Sequence, residues 1–232
     1  MISSDPGSFR DPKSRVYRSG SRVLRGMRST PEELRALLSA NFFSDAVRAG
    51  TLVDSWLLSD EETLRAQDSI RDKGSWNALV EHDPLPVVSY PFEWPIGMLL
   101  DAAKVELQLA RAALSDGYVT IDATPFNVQF VGAKPVHIDI GSFEPYVDGN
   151  SWIAYRQFCR TFLYPILLSL GGDNSVHREI AGNSIDGIDA QKCWSRLKIH
   201  QKYSPRTGLQ VLLQGTADRR ANKSEEQLES EL

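Results

Sequence analysis

The stretch Ile121–Pro145, IDATPFNVQFVGAKPVHIDIGSFEP, carries the pattern that decides the fold. Two short runs within it, VQFV and VHIDI, are rich in β-branched and aromatic residues and flank a turn that contains Gly132. Such a pair of runs predicts a β-hairpin. A hairpin here folds Asp139 back beside Asn127, although the two residues lie far apart along the chain. The sequence therefore predicts that two metal-ligating side chains meet at the base of one hairpin.

A third polar residue, Asp122, lies shortly before Asn127. Phosphoryl transfer from ATP requires one carboxylate that orients the attacking hydroxyl, together with amide and carboxylate groups that hold magnesium ions. Magnesium prefers oxygen ligands. This chemistry predicts that Asp122 is catalytic and that Asn127 and Asp139 bind metal, with Gly141 allowing a tight turn just after the second ligand. A structural alternative stays open: turn formation by Asp122 and Asn127, and a strand-end cap by Asp139.

Outside this stretch, two helices are predicted most clearly. Ile96–Ser115 begins after Pro95 and ends before Gly117. We expect one buried face on this helix, formed by its apolar residues at helical spacing, which are Ile96, Leu99, Leu100, Ala103, Leu107, Ala110 and Leu114. The second helix, Trp152–Leu170, is apolar nearly all round, which predicts a central, buried position.

The first ninety residues predict a smaller region of mixed structure. Two β-prone runs around Gly20 indicate a hairpin. Thr30 and Pro31 then begin a helix that we expect to continue towards Gly50. Residues 59–83 show no clear periodicity, and the next predicted strand is Val87–Tyr90, which runs into a proline-rich connector.

The composition limits the class of protein. The chain has 232 residues, of which 41% are hydrophobic, and a formal net charge of -4, which argues against a nucleic-acid partner. The longest apolar stretch, Phe162–Leu170, is interrupted by Pro165 and is too short to span a membrane. The N-terminus has no apolar secretory region, so we expect a cytoplasmic protein without membrane insertion. Among the histidines, His137 is expected to contact a neighbouring strand or to support a site residue rather than to act in catalysis, whereas His82 is expected at the surface.

The arrangement of Asp122, Asn127 and Asp139 resembles the catalytic loop and the Asp-x-Gly metal motif of the protein-kinase-like fold. The resemblance implies an α+β, two-lobed fold: a reduced N-terminal lobe, 1–91, and a mainly helical lobe, 92–214, before a disordered tail, 215–232. It also implies ATP and Mg²⁺ as cofactors. An adenine ring would then lie at the connector, against its aromatic residues, which are Tyr90, Phe92 and Trp94.

The chain departs from the kinase pattern in its first lobe. It has neither a glycine-rich phosphate loop nor a lysine within an apolar strand. Arg25 is the candidate to replace that lysine in cofactor binding, with Glu33 as its ion-pair partner. Because arginine and lysine are not equivalent as phosphate-binding groups, this departure places catalysis in question more than it does the fold.

A longer resemblance rests on the segments SYPFEWPIGMLLDAA, DATPFNVQF, HIDIGSFEPY and SWIAYRQFCRTFLYPILL. From about Ser8 to about Gly208 the chain resembles a bacterial family in which a kinase-like segment precedes a class I S-adenosylmethionine-dependent methyltransferase domain. Some rhizobial members are described as host-specific nodulation proteins. The chain has no room for the methyltransferase domain, so the resemblance implies either a methyltransferase partner in trans or a truncated relative.

The segment Val136–Glu144 also invites comparison with the first cofactor-binding motif of those methyltransferases. That motif needs further glycines where this chain has Ser142, Phe143 and Glu144, so no S-adenosylmethionine site is expected here. Two functions follow as hypotheses. One is a non-catalytic or weakly catalytic kinase-like module that acts with a methyltransferase in modification of a nodulation signal or surface glycan. The other is an active ATP-dependent phosphotransferase for a small hydroxyl substrate.

Overall fold

A computed structural model describes residues 2–5, 7–8, 11–70, 76–182, 186–204, 207–208 and 211–216 of the chain. The chain divides into two compact units. Unit 1 comprises Met1–Val88, Val105–Ile121 and Asn127–Asn150, and unit 2 comprises Ser89–Lys104, Asp122–Phe126 and Ser151–Leu232. The boundary predicted between residues 91 and 92 lies near the first change of unit, but unit 1 also contains two later segments. Of the predicted disordered tail, residues 217–232 lie outside the described residues, and residues 215 and 216 end a helical stretch.

The structure combines antiparallel strands with helices. The strands are β1 (Ser3–Ser4), β2 (Ser14–Ser19), β3 (Arg22–Met27), β4 (Ser55–Leu57), β5 (Ala78–His82), β6 (Tyr118–Thr120), β7 (Val128–Val131), β8 (Lys134–His137) and β9 (Phe143–Pro145). The helices are α1 (Pro31–Leu38), α2 (Asn41–Ala49), α3 (Asp60–Ser69), α4 (Ile96–Ser115), α5 (Tyr155–Phe158), α6 (Tyr164–Leu170), α7 (Val176–Gly182), α8 (Ala190–Arg196) and α9 (Ile199–Lys202).

A five-stranded antiparallel sheet in the order β1-β2-β3-β5-β4 organises unit 1. The predicted first hairpin is β2–β3, and Gly20 adopts a positive φ of 62° in its turn. One face of the sheet packs on α1, α2 and the second half of α4 in a core that includes Met27, Val80 and Leu109. The opposite face carries a smaller core with Trp76, which lies against Gly26 so closely that any side chain there would collide with the indole ring.

Local sequence signals explain the helix boundaries of unit 1. Thr30 and Glu33 form a reciprocal capping box at the start of α1, and Pro31 occupies its first turn. The single helix predicted towards Gly50 is instead two helices, because the chain turns at Ser39 before α2 begins. A second capping box starts α3, at Ser59, in the region where periodicity alone indicated no element.

The strand predicted at Val87–Tyr90 is wrong. Residues 83–90 contain no strand, and Val87 and Val88 are exposed. The sheet is completed by β5, which precedes the predicted strand along the chain and pairs with both β3 and β4. Prolines at positions 84, 86 and 91 lack the N–H that a strand within a sheet must donate, so the apolar residues between them cannot join it.

The helix predicted at Ile96–Ser115 is confirmed as α4, but its predicted face is displaced. Leu100, Leu107 and Leu114 are exposed. Buried positions on the helix include Leu99, Leu109 and a charged residue, Glu106, which the apolar pattern does not select. Among the described residues, no helix is both long and apolar enough to cross a bilayer.

The apolar helix predicted at Trp152–Leu170 begins three residues later, at Tyr155, and consists of α5, a π-helical segment Cys159–Leu163, and α6. Pro165 has no N–H to donate to the preceding turn, and a π segment just before it accommodates this loss. The carbonyl of Arg160 accepts a hydrogen bond from the Ile188 backbone N–H instead, at 2.9 Å. The helix is buried in the core of unit 2, as the sequence predicts.

Candidate functional site

Asp139 lies in unit 1, two residues after the end of strand β8. The β7–β8 hairpin has the predicted turn, with Gly132 at a φ of 62°. Beyond the last strand pair, the Ile138 backbone N–H donates to the Asn127 carbonyl at 2.8 Å. Asn127 is buried and directly precedes β7. The hairpin thus brings the backbone of Asn127 next to the residue that precedes Asp139.

The Asp139 carboxylate is engaged by two donors of unit 1. Its Oδ1 atom accepts a hydrogen bond from the Gly141 backbone N–H at 2.9 Å, which caps the 3-10 turn Ile140–Ser142. The same oxygen lies 2.5 Å from Nη1 of Arg25, on strand β3. The side chains of Arg25 and Asp139 are 9% and 21% exposed. This is a largely buried ion pair between a sheet strand and the candidate metal residue.

The surroundings of this ion pair are tightly arranged. Arg25 Nη1 also donates to Ser14 Oγ at 3.2 Å, across the β2–β3 hairpin. A Cβ atom on Gly141 would lie 3.2 Å from Asp139 Oδ1 and 3.6 Å from Arg25 Nη1. A glycine therefore lets the turn approach the ion pair closely.

Glu33, the expected partner of Arg25, has another role. Its side chain accepts the Thr30 backbone N–H at 2.8 Å as part of the capping box of α1. Asp139 and Ser14 are the partners that the structure gives to Arg25. The expectation of an Arg25–Glu33 pair is therefore wrong, because a local capping bond uses the carboxylate.

A fully buried pair, Glu106 and His137, supports the loop that carries Asp139. His137 Nδ1 lies 2.6 Å from Glu106 Oε1, and His137 Nε2 lies 2.9 Å from the Asp139 carbonyl and 3.0 Å from Ser142 Oγ. Burial opposes protonation of the ring, but the charge and hydrogen bond of Glu106 outweigh it, so the pKa of His137 is raised. Helix α4 is thereby tied to the loop through one imidazole.

His82, expected at the surface, is buried at the end of β5. Its Nδ1 atom lies 2.7 Å from Ser55 Oγ, on the neighbouring strand β4. Burial, followed by the charge of Arg25, lowers the pKa of His82 to about 3, while Asp139 acts in the opposite direction. The earlier expectation relied on polar neighbours in sequence, whereas the strand pairing places this ring inside unit 1.

The predicted catalytic residue, Asp122, belongs to unit 2 and is half-buried in the segment after β6. The next residue, Ala123, is held by unit 2: its N–H donates to Gln157 Oε1 at 2.8 Å. Its carbonyl accepts from Thr161 Oγ1 at 3.4 Å. The chain around Asp122 is thus fixed to the helical segment that contains α5, and the catalytic role of Asp122 stays a prediction.

The three aromatic residues proposed to hold an adenine ring also belong to unit 2. Tyr90 and Phe92 are half-exposed and stack on each other, with ring centroids 5.4 Å apart and an interplanar angle of 4°. Trp94 is buried, and its Nε1 donates to Ser89 Oγ at 2.9 Å. Stacking occupies one ring face of each exposed aromatic residue, and their cofactor role stays a prediction.

Magnesium is the metal implied by the resemblance to kinases. Whether it can bind depends on the oxygen atoms that Asn127 and Asp139 offer as ligands. Carboxylate and amide oxygens are suitable ligands. However, Asp139 Oδ1 is already bound by Arg25 and Gly141, and a fixed guanidinium beside the carboxylate repels a divalent cation. Within the described ranges, no group of three or more His, Cys, Asp or Glu side chains could hold a metal ion. A magnesium ion at Asp139 Oδ1 would therefore compete with Arg25 and Gly141, and the metal-binding roles of Asn127 and Asp139 stay a prediction.

An open cleft in unit 1 lies away from these residues. It has a volume of about 320 Å³ and is lined by α2 and the second half of α4, including Asp45, Thr51, Gln108 and Asp116. Asp116 accepts the Phe42 backbone N–H at 2.6 Å near the start of α2. None of the residues predicted from the sequence for catalysis, cofactor or metal binding lines this cleft.

Comparison with known proteins finds similarity to a nodulation protein. No protein-family model matches the chain. Nodulation protein NoeA of Rhizobium meliloti (strain 1021) is 34% identical over 207 residues, which cover 89% of this chain and 42% of that protein. The chain therefore spans less than half the length of this relative.

Two solved structures are distantly similar. The Lpg2603 kinase of Legionella pneumophila, solved with IP6 bound, has a TM-score of 0.37 and 12% identity, with 78% of this chain and 61% of that chain covered. The PAN3 pseudokinase of Drosophila melanogaster has a TM-score of 0.36 and 10% identity, with 99% and 70% covered. Both scores are low, and neither likeness decides the fold. What the comparisons establish is similarity, over most of this chain, to part of a rhizobial nodulation protein.

Proposed function

We propose that this chain is a kinase-like module with weak or no phosphotransferase activity. It acts with a methyltransferase in modification of a nodulation signal or surface glycan. The observation that carries the first statement is the ion pair between Arg25 and Asp139. It supplies the Asp139 carboxylate with a permanent positive charge from the protein itself.

This ion pair bears directly on metal binding. A kinase aspartate in this position holds magnesium through its carboxylate oxygens. Here a magnesium ion at Oδ1 must displace a guanidinium that is also hydrogen-bonded to Ser14. Arginine carries a permanent positive charge in proteins, so this guanidinium and a metal cation compete for the same oxygen. The arrangement supports a site that is stable without metal.

The biological context of the proposal rests on sequence. The 34% identity to NoeA supports a role connected with nodulation. The methyltransferase partner rests on the motif resemblance of the segments from Ser89 to Leu168. Because the chain corresponds to 42% of that relative, the activity of the whole relative, host specificity included, enters here as part of the proposal.

An active phosphotransferase is the alternative, and one observation favours it. The Asp139 side chain is 21% exposed, so its carboxylate is not sealed from a ligand. In that case Asp122 would orient the hydroxyl of the substrate, and Asn127 and Asp139 would hold the metal.

Calorimetric titration of ATP, with and without magnesium, separates these functions. We expect the wild-type chain to show no magnesium-dependent ATP binding. Asp139→Ala then leaves the titration unchanged, and circular dichroism checks that the variant is folded. Magnesium-dependent binding that disappears in Asp139→Ala would overturn the proposal and favour the phosphotransferase.

A further inference from the structure

An exposed row of leucines runs along helix α4. Leu107 and Leu114, in the half of the helix that belongs to unit 1, are 45% and 50% exposed. Leu100, one heptad earlier on the same helix, is 37% exposed. Large side chains at a spacing of seven residues lie on one face of a helix, as in the seam of a coiled coil. Exposed leucines in such regular order mark a surface for interaction.

The residues between the leucines are small. Ala103 and Ala110 occupy the positions three residues after Leu100 and Leu107, which are the other seam positions of a heptad pattern. Ala110 is half-buried. Ala103 is only 5% exposed and faces the protein interior, so the room at the surface lies at Ala110, between Leu107 and Leu114, where a side chain of a second helix can insert.

The charge beside this row is positive. Lys104 and Arg111 each lie four residues after a leucine of the row, and both are exposed. Lys104 pairs with Asp101 at 2.9 Å, within the helix. Within the part of the chain that the structure describes, no ion pair is found for Arg111. Arg111 therefore leaves an unbalanced positive charge between Leu107 and Leu114.

This charge argues against a second copy of the chain as the partner that covers the leucine row. A twofold dimer through antiparallel α4 helices places equivalent positions opposite each other. Lys104 and Arg111 would then face basic residues of the other copy, and like charges across an interface are repulsive.

We infer that the leucine row of α4, with Arg111 beside it, is the docking surface for an amphipathic helix that carries acidic residues along its apolar seam. The leucines supply apolar area, Ala110 allows close approach, and Arg111 sets the sign of the charge that the partner must carry. The inference does not depend on nucleotide or metal binding.

A designed helical peptide of about three heptads, with leucine at the seam positions and glutamate beside them, is the probe. We expect it to bind the full chain in fluorescence anisotropy. Leu107→Ser combined with Leu114→Ser removes exposed side chains, so the fold persists, and weakens binding about tenfold or more, as loss of two buried leucines implies. Leu64→Ser, which changes an exposed leucine on α3, is the matched control and leaves binding unchanged.

Charge reversal at Arg111 tests the sign of the charge that the partner helix carries. Arg111→Glu weakens binding of the acidic peptide about fivefold or more, and a peptide with lysine in place of glutamate regains it. Absence of binding by the folded wild-type chain, or binding that ignores both sets of substitutions, overturns the inference. Sedimentation of the chain alone as a dimer that Leu114→Ser dissociates also overturns it, because the occupant is then a second copy.

Discussion

At the scale of single residues, the groups around Asp139 determine what its carboxylate can bind. An aspartate after a β-strand is equally suited to bind a metal ion or to cap a turn, and here it caps a turn through Gly141. Arg25 adds an opposite charge at 2.5 Å. Removal of that charge leaves the carboxylate largely buried and without its cation, which both destabilises the fold and opens a site for another cation.

Arg25→Met tests both effects of removing the positive charge beside Asp139. We expect a loss of about 2 kcal/mol in the free energy of unfolding, since one member of a largely buried ion pair is removed. We also expect magnesium to raise the unfolding temperature of the variant more than that of the wild type, because metal that binds the native state stabilises it. Urea unfolding and thermal scans with added magnesium measure the two effects.

Arg22→Met is the control on the same strand. Arg22 pairs with Glu81, but its side chain is 47% exposed, and exposed pairs contribute about 1 kcal/mol or less. An equal effect of magnesium on both variants would contradict the role given to Arg25.

At the scale of elements, the loop after β8 is held by α4. Glu106 projects from α4 into the core of unit 1 and meets His137 of β8, whose other nitrogen reaches the Asp139 carbonyl. Both side chains have no exposed surface. A buried charge is tolerated only when it is paired, so the two residues depend on each other.

Glu106→Ala leaves the His137 ring without its carboxylate. We expect a loss of about 3 kcal/mol in unfolding free energy from this change. Glu106→Gln keeps a hydrogen-bond acceptor at the same place and costs about half as much. Gln108→Ala, at an exposed position on the same helix, is the control. Urea unfolding measures both losses. Equal losses for the two Glu106 variants would show that the hydrogen-bond acceptor kept by glutamine contributes nothing to stability.

At the scale of the whole molecule, the two buried histidines shape stability against pH in opposite ways. His82 has a folded-state pKa of about 3, below its unfolded value of 6.5. Below pH 6.5 the unfolded chain gains a proton that the folded chain does not, so His82 lowers stability as the pH falls towards 3. His137 has a raised pKa, so its contribution is present at low pH and is lost as the pH rises through that pKa.

His82→Asn isolates the acid side of this profile. Asparagine keeps a polar group near Ser55 but does not titrate. We expect the variant to lose less stability than the wild type between pH 6 and pH 4, a difference of up to about 1.4 kcal/mol per pH unit. Urea unfolding at intervals across this range measures it. Parallel profiles for the two proteins would mean that His82 takes up its proton in the folded state.

Much of the local structure could be predicted from the sequence alone. The hairpin turns at Gly20 and Gly132 depend on residues that adopt positive φ, and the start of α1 depends on the Thr30–Glu33 capping box. Contacts between residues only a few positions apart decide these features, so the local sequence is sufficient to predict them.

The tertiary structure alone decided which side chains meet. Glu106, inside an apolar helix, gave no sign of its partner His137, and the expected partner of Arg25 was taken by a local cap. His82 is buried because β5 pairs with β3 and β4. Such outcomes depend on strand order and helix rotation, which are set by packing between segments that are distant in sequence. A pattern that repeats within one helix or one strand therefore locates the element, whereas its charged partners are determined by the fold as a whole.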